Sequence, residues 1–347
     1  MLSPHLWYRK EIKINFIPSD SLLPLKILVR PLCAESLGVR STATYVETPD
    51  LKILIDAGAA LAPRFGRLPH PLEYRALERA RKAIKEHAER SEAIIISHYH
   101  FDHFSPFFEE TDTLWTWSDQ SVAREIYSDK IVYFKDFDKD INFSQKVRGQ
   151  LFNKAVKNVA KKVIKADSQC FYYGGTILKF SKPLFHGEED SKLGYVLATI
   201  IRSPGLTFLH ASDVQGAISE QALNTILDES PDILVIGGPP TYLNSFDERN
   251  YVIAKNNLSK LVEKTKLMIL DHHILRDDRA IAFVEELRSK ARVFNNQVKT
   301  FAEFQGKSNQ LLEAKRMELY REIEPTEEFM QWANLPDVLR RKKFPPL

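Results

Sequence analysis

The sequence predicts a mixed α/β protein in which two β-sheets are covered by helices. Two observations carry this. Short strands separated by turn-forming residues fill the first stretch, and strands then alternate with helices, an order that produces stacked layers. A third observation points to where the chemistry lies: histidines and carboxylates recur just past apolar runs, and α/β proteins place ligands at strand ends.

The first strands are Lys26–Arg30, Thr42–Glu47 and Lys52–Asp56, parted by Ser36-Leu37-Gly38 and Thr48-Pro49-Asp50. Residues 71–90 form a helix, with Pro71 at its start and Leu72, Ala76, Ala80, Ala83 and Ile84 at helical spacing. The run Ala93–Ile96 reads as a buried strand. Residues 143–165 read as a basic amphipathic helix, because Val147, Leu151, Ala155, Val159 and Val163 recur every four positions. Further strands are Thr176–Phe180, Gly194–Ile201, Leu206–His210, Ile233–Ile236 and Leu267–Leu270, with helices over 217–228 and 248–265. The expected organisation is a peripheral extension over 1–25, one main domain over 26–277, and a charged helical extension over 278–347 that packs on that domain.

Composition narrows the function. With 347 residues and 44% hydrophobic content the chain can bury a sizeable core, and a net charge of +3 gives no general attraction to nucleic acid or anionic membrane. Two cysteines, Cys33 and Cys170, exclude a thiolate-rich metal site and fit a reducing, cytoplasmic setting. No apolar stretch is long enough to span a membrane.

Six of the ten histidines lie near strand ends. The densest group is Ser97-His98-Tyr99-His100-Phe101-Asp102-His103, directly after Ala93–Ile96. His98 and His100, two apart, can face one ion from an extended segment; Asp102 and His103 turn toward a second. Downstream stand His186, Asp213, and the pair His272-His273 after Asp271. Neutral imidazole with carboxylate suits zinc, manganese or iron. The opposing view, a chance grouping of core and surface histidines, does not account for the repeated strand-end placement. Asp213 taken alone reads more readily as a turn residue or helix cap beside Ser212, and its place in the series makes it a ligand. His210 is read as a packed strand residue, and His5, His70 and His87 as surface residues.

His98-Tyr99-His100-Phe101-Asp102-His103 resembles the HxHxDH motif of the metallo-β-lactamase superfamily, and Leu54-Ile55-Asp56-Ala57-Gly58 resembles that superfamily's early strand-Asp-Gly element. The resemblance covers about residues 26–275. Glu35–Ser41, Gly237–Tyr242 and Asp271–Asp277 are similar to an archaeal subgroup known only as predicted metal-dependent hydrolases. The resemblance implies an αββα sandwich with two divalent metal ions at one edge, zinc first, with manganese or iron as alternatives. It implies that His98, His100 and His186 hold one ion, that Asp102, His103 and a terminal histidine hold the other, and that Asp213 bridges them. His272 is the expected terminal ligand and His273 the alternative. Paired ions sharing a water generate a nucleophile near neutral pH, with Asp102 orienting it or handling its proton as the catalytic residue. Asp56 either supports a ligand histidine from behind or simply ends its strand.

Thr241, Tyr242 and Arg276 are expected to line the substrate site, with Arg40 and Arg276 able to clamp an anion or to pair on the surface. The basic face of 143–165 is read as solvated, balanced by acids such as Glu109, Glu110, Asp138 and Asp140, and Trp115 and Trp117 as core or lid. The leading function is hydrolysis of a phosphodiester, ester, thioester or lactone. Nucleic-acid processing is not favoured, because only 58 residues separate Asp213 from His272, too few for an inserted cap domain. The remaining alternative is a metal-stabilised binding or assembly subunit without turnover. Oligomeric state is open.

Overall fold

The computed structural model describes residues 27–108, 115–116, 120–189, 191–277, 280–341 and 343–347. The expected extension over 1–25, together with His5, Glu109, Glu110 and Trp117, lies outside them.

The first sheet runs in order β1 (Leu28–Pro31), β2 (Thr44–Glu47), β3 (Lys52–Ile55), β4 (Ala93–Ile96), β5 (Ile131–Phe134) and β6 (Lys162–Lys165). Its first three strands form an antiparallel meander, and β3 to β6 are parallel. The second sheet is built from β7 (Cys170–Tyr173), β8 (Thr176–Phe180), β11 (Thr199–Ser203), β12 (Leu206–His210), β13 (Ile233–Gly237), β14 (Leu267–Asp271) and β15 (Gln297–Lys299), neighbours in that order. A two-stranded ribbon, β9 (Leu184–Phe185) with β10 (Tyr195–Val196), stands apart.

Alternation along the strands explains the layers. In β4, Ala93 and Ile95 point between the sheets, whereas Ile94 and Ile96 point outward to the helices. In β13, Ile233 and Val235 join the same central core, and Leu234 and Ile236 face the opposite helical layer. Strands apolar on both faces need cover on both. The helices α1 (Pro71–Arg90), α2 (Gln120–Tyr127) and α3 (Phe143–Val156) cover the first sheet; α4 (Glu220–Glu229), α5 (Glu248–Lys264) and α6 (Ala280–Val293) cover the second. The architecture is the expected αββα sandwich. No helix among the described residues is long and apolar enough to cross a membrane.

Several local expectations change. The helix predicted to reach 165 ends at Val156, and Val163 and Ile164 instead belong to β6, paired with β5. Their β-branched side chains suit a strand, but a spacing of four could not reveal the break. The run Gly194–Ile201 splits into β10 and β11 because the Leu197 N–H leaves the ribbon to donate to Ser97 O. His70 and His87 are buried rather than superficial. His70 caps α1, accepting from Leu72 N while Glu73 returns a bond to His70 N, a role histidine seldom signals.

The last segment contains a strand as well as helices. β15 extends the second sheet, followed by α7 (Phe301–Phe304), α8 (Arg316–Glu322), α9 (Glu327–Ala333) and α10 (Asp337–Arg340). Three residues with one inward side chain, Val298, give no periodic signal to read. Three ion pairs tie this segment to the first half of the chain: Arg316 to Glu73, both wholly buried, and Glu313 to Arg40 and, at 3.8 Å, to Arg64. Arg40 is therefore committed to Glu313, and the structure does not bring it to the ligand cluster.

Candidate metal centre

All the clustered histidines and carboxylates meet at one edge of the sandwich, each delivered by a strand end. β4 leads into His98–His103, β9 into His186, β12 into Asp213 and β14 into His272-His273. Four non-glycine residues there adopt left-handed backbone: Asp56 (φ 53°), Ser212 (φ 55°), Gln215 (φ 50°), whose Nε2 lies 3.3 Å from His186 Nδ1, and His272 (φ 67°). Strain of this kind persists only where surroundings over-determine it, and here each such residue turns a side chain into the site. Gly58 makes a close approach possible. A Cβ on it would lie 2.2 Å from Phe104 N, so only glycine lets the ligand loop lie against this strand exit.

Three groups each bring their ligand atoms within 4.8 Å of one another: His98, His100, His186 and Asp213; Asp102, His103 and His272; Asp213, His272 and His273. Asp213 is shared by the first and third.

The fully buried Asp56 carboxylate orders the clustered histidines. Oδ1 accepts from Ser97 N at 2.9 Å. Oδ2 lies 2.8 Å from His103 Nδ1, 2.8 Å from Ser97 Oγ and 3.0 Å from Ser212 Oγ. A carboxylate only accepts, so His103 carries its proton on Nδ1 and presents the Nε2 lone pair outward. Ser97 gives its proton to Asp56 and accepts from His98 Nδ1 at 3.0 Å, which leaves His98 Nε2 bare as well. Asp56 thus supports two histidines, not one. Glu35 does the same for His272, with Oε2 3.0 Å from Nδ1, while Arg276 binds Glu35 Oε1 at 2.6 Å.

Ring nitrogens then face one another. His98 Nε2 lies 3.1 Å from His100 Nδ1, and His103 Nε2 lies 3.3 Å from His272 Nε2. Gln145 Nε2 lies 3.5 Å from His100 Nε2 and can only donate to it, which turns the His100 Nδ1 proton toward His98. The second pair, with each Nδ1 on a carboxylate, sets Nε2 against Nε2, an arrangement that a shared cation relieves. Tetrahedral zinc with bonds of about 2.0–2.1 Å sets its ligand nitrogens roughly 3.3 Å apart, so the donor set fits such an ion. Asp213 Oδ2 stands 2.8 Å from His186 Nε2 and 3.4 Å from His272 Nε2, and Asp213 Oδ1 is buried with no hydrogen-bond partner among the described residues. A buried carboxylate oxygen left in this way is costly unless a cation meets it.

Electrostatics agree. Burial and the repulsion of neighbouring imidazoles push His98 and His100 well below the ordinary histidine range, so both are neutral donors. Burial opposes charge on Asp102, but His103, His272 and Arg276 outweigh it and keep the carboxylate ionised. Burial likewise opposes charge on His272, yet Glu35 and Asp213 outweigh it and hold its pKa well above the ordinary histidine range, so a bound metal ion would have to displace a proton there.

His273 differs from His272. Arg276 Nη1 donates to Tyr242 Oη at 3.0 Å, Tyr242 Oη lies 3.2 Å from His273 Nδ1, and His273 Nε2 lies 2.8 Å from Asp213 Oδ2. Arginine can only donate, so the chain runs Arg276 to Tyr242 to His273 to Asp213, and His273 Nε2 carries the proton. Tyr242 also receives the Arg64 guanidinium over its ring at 4.6 Å, and Arg64 donates to Arg276 O. Thr241 is buried beside Tyr242 and lines with it a cavity of about 310 Å³ between α5 and α6. His210 is a buried strand residue whose Nε2 donates to Thr42 O at 3.0 Å. Ser219, not Asp213, caps α4.

Sequence reasoning missed Glu35, Ser97, Ser212 and Gln145. Gln145 Oε1 accepts from Tyr99 N at 3.0 Å and so docks α3 on the ligand loop. Ser97 and Ser212 adjoin ligands and were within reach of a search for strand-end hydroxyls; Glu35 and Gln145 carry no spacing signal.

Fold and ligand set together place the chain in the metallo-β-lactamase superfamily and support a metal-dependent hydrolase, with candidate ligand clusters that could hold metal ions. The family model described as Metallo-beta-lactamase superfamily matches residues 37–107. The chain belongs to the UPF0282 family: it is 44% identical over 294 residues to the UPF0282 protein of Methanocaldococcus jannaschii, covering 84% of this chain and 96% of that one. The Thermococcus kodakarensis UPF0282 protein is 41% identical over 295 residues, with 84% and 95% covered. Among solved structures, the diiron β-hydroxylase CmlA of Streptomyces venezuelae is similar at a TM-score of 0.48 and 11% identity over 80% of this chain and 53% of CmlA, so the chain spans about half of CmlA's length. Tm1679, described as a metal-dependent hydrolase of the beta-lactamase superfamily, is similar at a TM-score of 0.42 and 13% identity, over 78% of this chain and 94% of that one.

Proposed function

We propose that this protein hydrolyses a phosphodiester at two divalent ions, with zinc as the metal the donor set suits best and manganese or iron as alternatives. His98, His100 and His186 would hold one ion, and Asp102, His103 and His272 the other. The observation that carries this reading is Asp213, whose Oδ2 approaches His186 and His272 at 2.8 and 3.4 Å and so joins the two groups. Two such ions supply Lewis acidity and a water of lowered pKa.

The chain's own residues supply the rest. Asp102, held ionised by His103, His272 and Arg276, orients the attacking water and accepts its proton. His273 keeps its Nε2 proton on Asp213 and faces the mouth, where its side chain is 12% exposed. Tyr242 and Arg276 stand beside it. The choice of a phosphodiester over a neutral ester, thioester or lactone rests on the Arg148 guanidinium at Tyr99 and Phe101, since Arg276 and Arg64 at Tyr242 already face Glu35 and Glu313. Arginine suits phosphate oxygens. Two free cysteines, Cys33 and Cys170, support a cytoplasmic setting.

The test is a comparison on metal-reconstituted protein of bis(p-nitrophenyl) phosphate with p-nitrophenyl acetate, a thioester and a lactone. The diester is the expected substrate, and Asp102→Asn is expected to slow it by about 100-fold or more. Turnover of the carboxylic esters alone would remove the phosphodiester reading. A protein that binds no metal would remove the centre itself.

A further inference from the structure

Arg148 occupies an unusual position. It lies three residues after Gln145 on α3, on the face that Gln145 docks against the ligand loop. Its Nη1 donates to Tyr99 O at 3.1 Å, and its guanidinium lies 4.2 Å from the Phe101 ring centroid. Tyr99 and Phe101 alternate with His98, His100 and Asp102, so the guanidinium sits against the rim of the metal centre.

Its charge is not matched by a direct ion pair, as the charges of its neighbours at the site, Arg276 and Arg64, are. Arg276 is paired with Glu35, and Arg64 stands 3.8 Å from Glu313. Arg148 forms no ion pair with a carboxylate among the described residues, and it is only partly exposed. A guanidinium has five N–H donors, and Tyr99 O occupies one. The Asp102 carboxylate attracts it from beyond ion-pair distance, but a partly buried cation with no direct anionic partner remains unfavourable. A group that only pinned the loop would need the single bond to Tyr99 and no charge. A planar fork, stacked on an aromatic ring and still holding free donors, matches the oxygens of a phosphate.

We propose that Arg148, stacked on Phe101, binds a second, non-reacting phosphate carried by the substrate next to its scissile diester. The proposal rests on the phosphodiesterase reading and adds to it: the preferred substrate carries two phosphates, and Arg148 is the residue that distinguishes it from a substrate with one.

The experiment compares the p-nitrophenyl ester of thymidine 5′-phosphate with the same ester bearing a 3′-phosphate, on zinc-reconstituted protein. The wild type is expected to prefer the second in kcat/KM. Arg148→Gln is expected to lower that preference by about 10-fold or more, the loss expected for one charged hydrogen-bonded contact. Arg148→Lys should restore part of it, and Lys154→Gln, exposed on the same helix, should leave it intact. Calorimetric binding of thymidine 3′,5′-bisphosphate against the 5′-monophosphate should change in the same way. An unchanged preference in Arg148→Gln at unchanged metal content overturns the proposal, as does a wild type with no preference. Loss of metal in both Arg148 variants would assign the residue to holding the loop and overturn it equally. Failure of the phosphodiesterase reading shows separately, as a wild type that cleaves neither ester, while the calorimetric comparison still reports the second phosphate.

Discussion

Glu35 and His272 are 237 positions apart in the chain, yet Glu35 Oε2 lies 3.0 Å from His272 Nδ1. The contact exists because the short 3-10 turn Glu35–Leu37 and the turn that follows β14 pack together, with Asp271 Oδ1 accepting from both Ser36 N and His272 N. Burial opposes ionisation of Glu35, but His272 and Arg276 outweigh it, so a carboxylate is available to fix the histidine. That fixed tautomer is what points His272 Nε2 at His103.

Replacing Glu35 by Gln keeps the shape and removes the charge. Loss of such a supporting carboxylate typically lowers metal affinity about 10–100-fold. The effect should fall on one ion, since His98, His100 and His186 make no contact with Glu35. A chelator titration with metal analysis should show one equivalent released early and the other as in the wild type. Release of both in parallel would contradict the assignment.

Adjacent histidines separate cleanly under substitution. His272→Ala should leave close to one equivalent of metal, because it removes a bare nitrogen 3.3 Å from His103 Nε2. His273→Ala should leave two, because that ring holds its proton toward Asp213 and is bonded by Tyr242. Its effect belongs on turnover instead. Metal stoichiometry of the two variants decides, and the reverse pattern would make His273 the ligand.

The contrast between these two residues also shows what could be read from sequence. His98 to His103 announced themselves because a strand end fixes where neighbouring side chains point, and the strand itself was visible as Ala93–Ile96. Asp213 was placed by the same rule. His272 and His273 look alike in sequence, because the group that tells them apart, Glu35 bonded to His272, reaches it only through tertiary packing. Layering was legible for a similar reason: alternation in β4 and β13 is a local pattern. β15, with one inward residue, and the end of α3 at Val156 were not, since sheet pairing there overrides helical spacing.

Gly58→Ala tests how tightly the ligand loop is held. The added carbon would meet Phe104 N at 2.2 Å and His103 C at 2.6 Å, and backbone cannot rotate away as a side chain can. Overpacking of this sort costs about 1–3 kcal/mol, and the shift should also displace His103. Lower thermal stability with reduced metal content is expected. A variant as stable and as metal-replete as the wild type would mean the loop has slack that the structure does not display.

Glu313 gives a pH dependence with a definite sign. It is buried between arginines, with Arg40 Nε 2.7 Å from Oε2 and Nη2 2.6 Å from Oε1. Burial pushes its pKa up, but Arg40 first, then Arg276 and Arg316, pull it down from 4.5 to about 2. A carboxyl whose pKa is lower when folded contributes stability above its unfolded pKa and loses it as pH falls through the folded one. The contribution is about 3 kcal/mol at neutral pH, present in full above about pH 5 and gone below about pH 2. Glu313→Gln removes the titration. Denaturant unfolding of both proteins at a series of pH values should therefore show a gap that is widest near neutrality and closes between pH 4.5 and 2, the wild type moving toward the variant. Taking the difference cancels the carboxyls common to both chains. A gap constant across that window would show that Glu313 acts through packing rather than charge, and that Arg40 does not depend on its ionisation to hold the last segment against the first sheet.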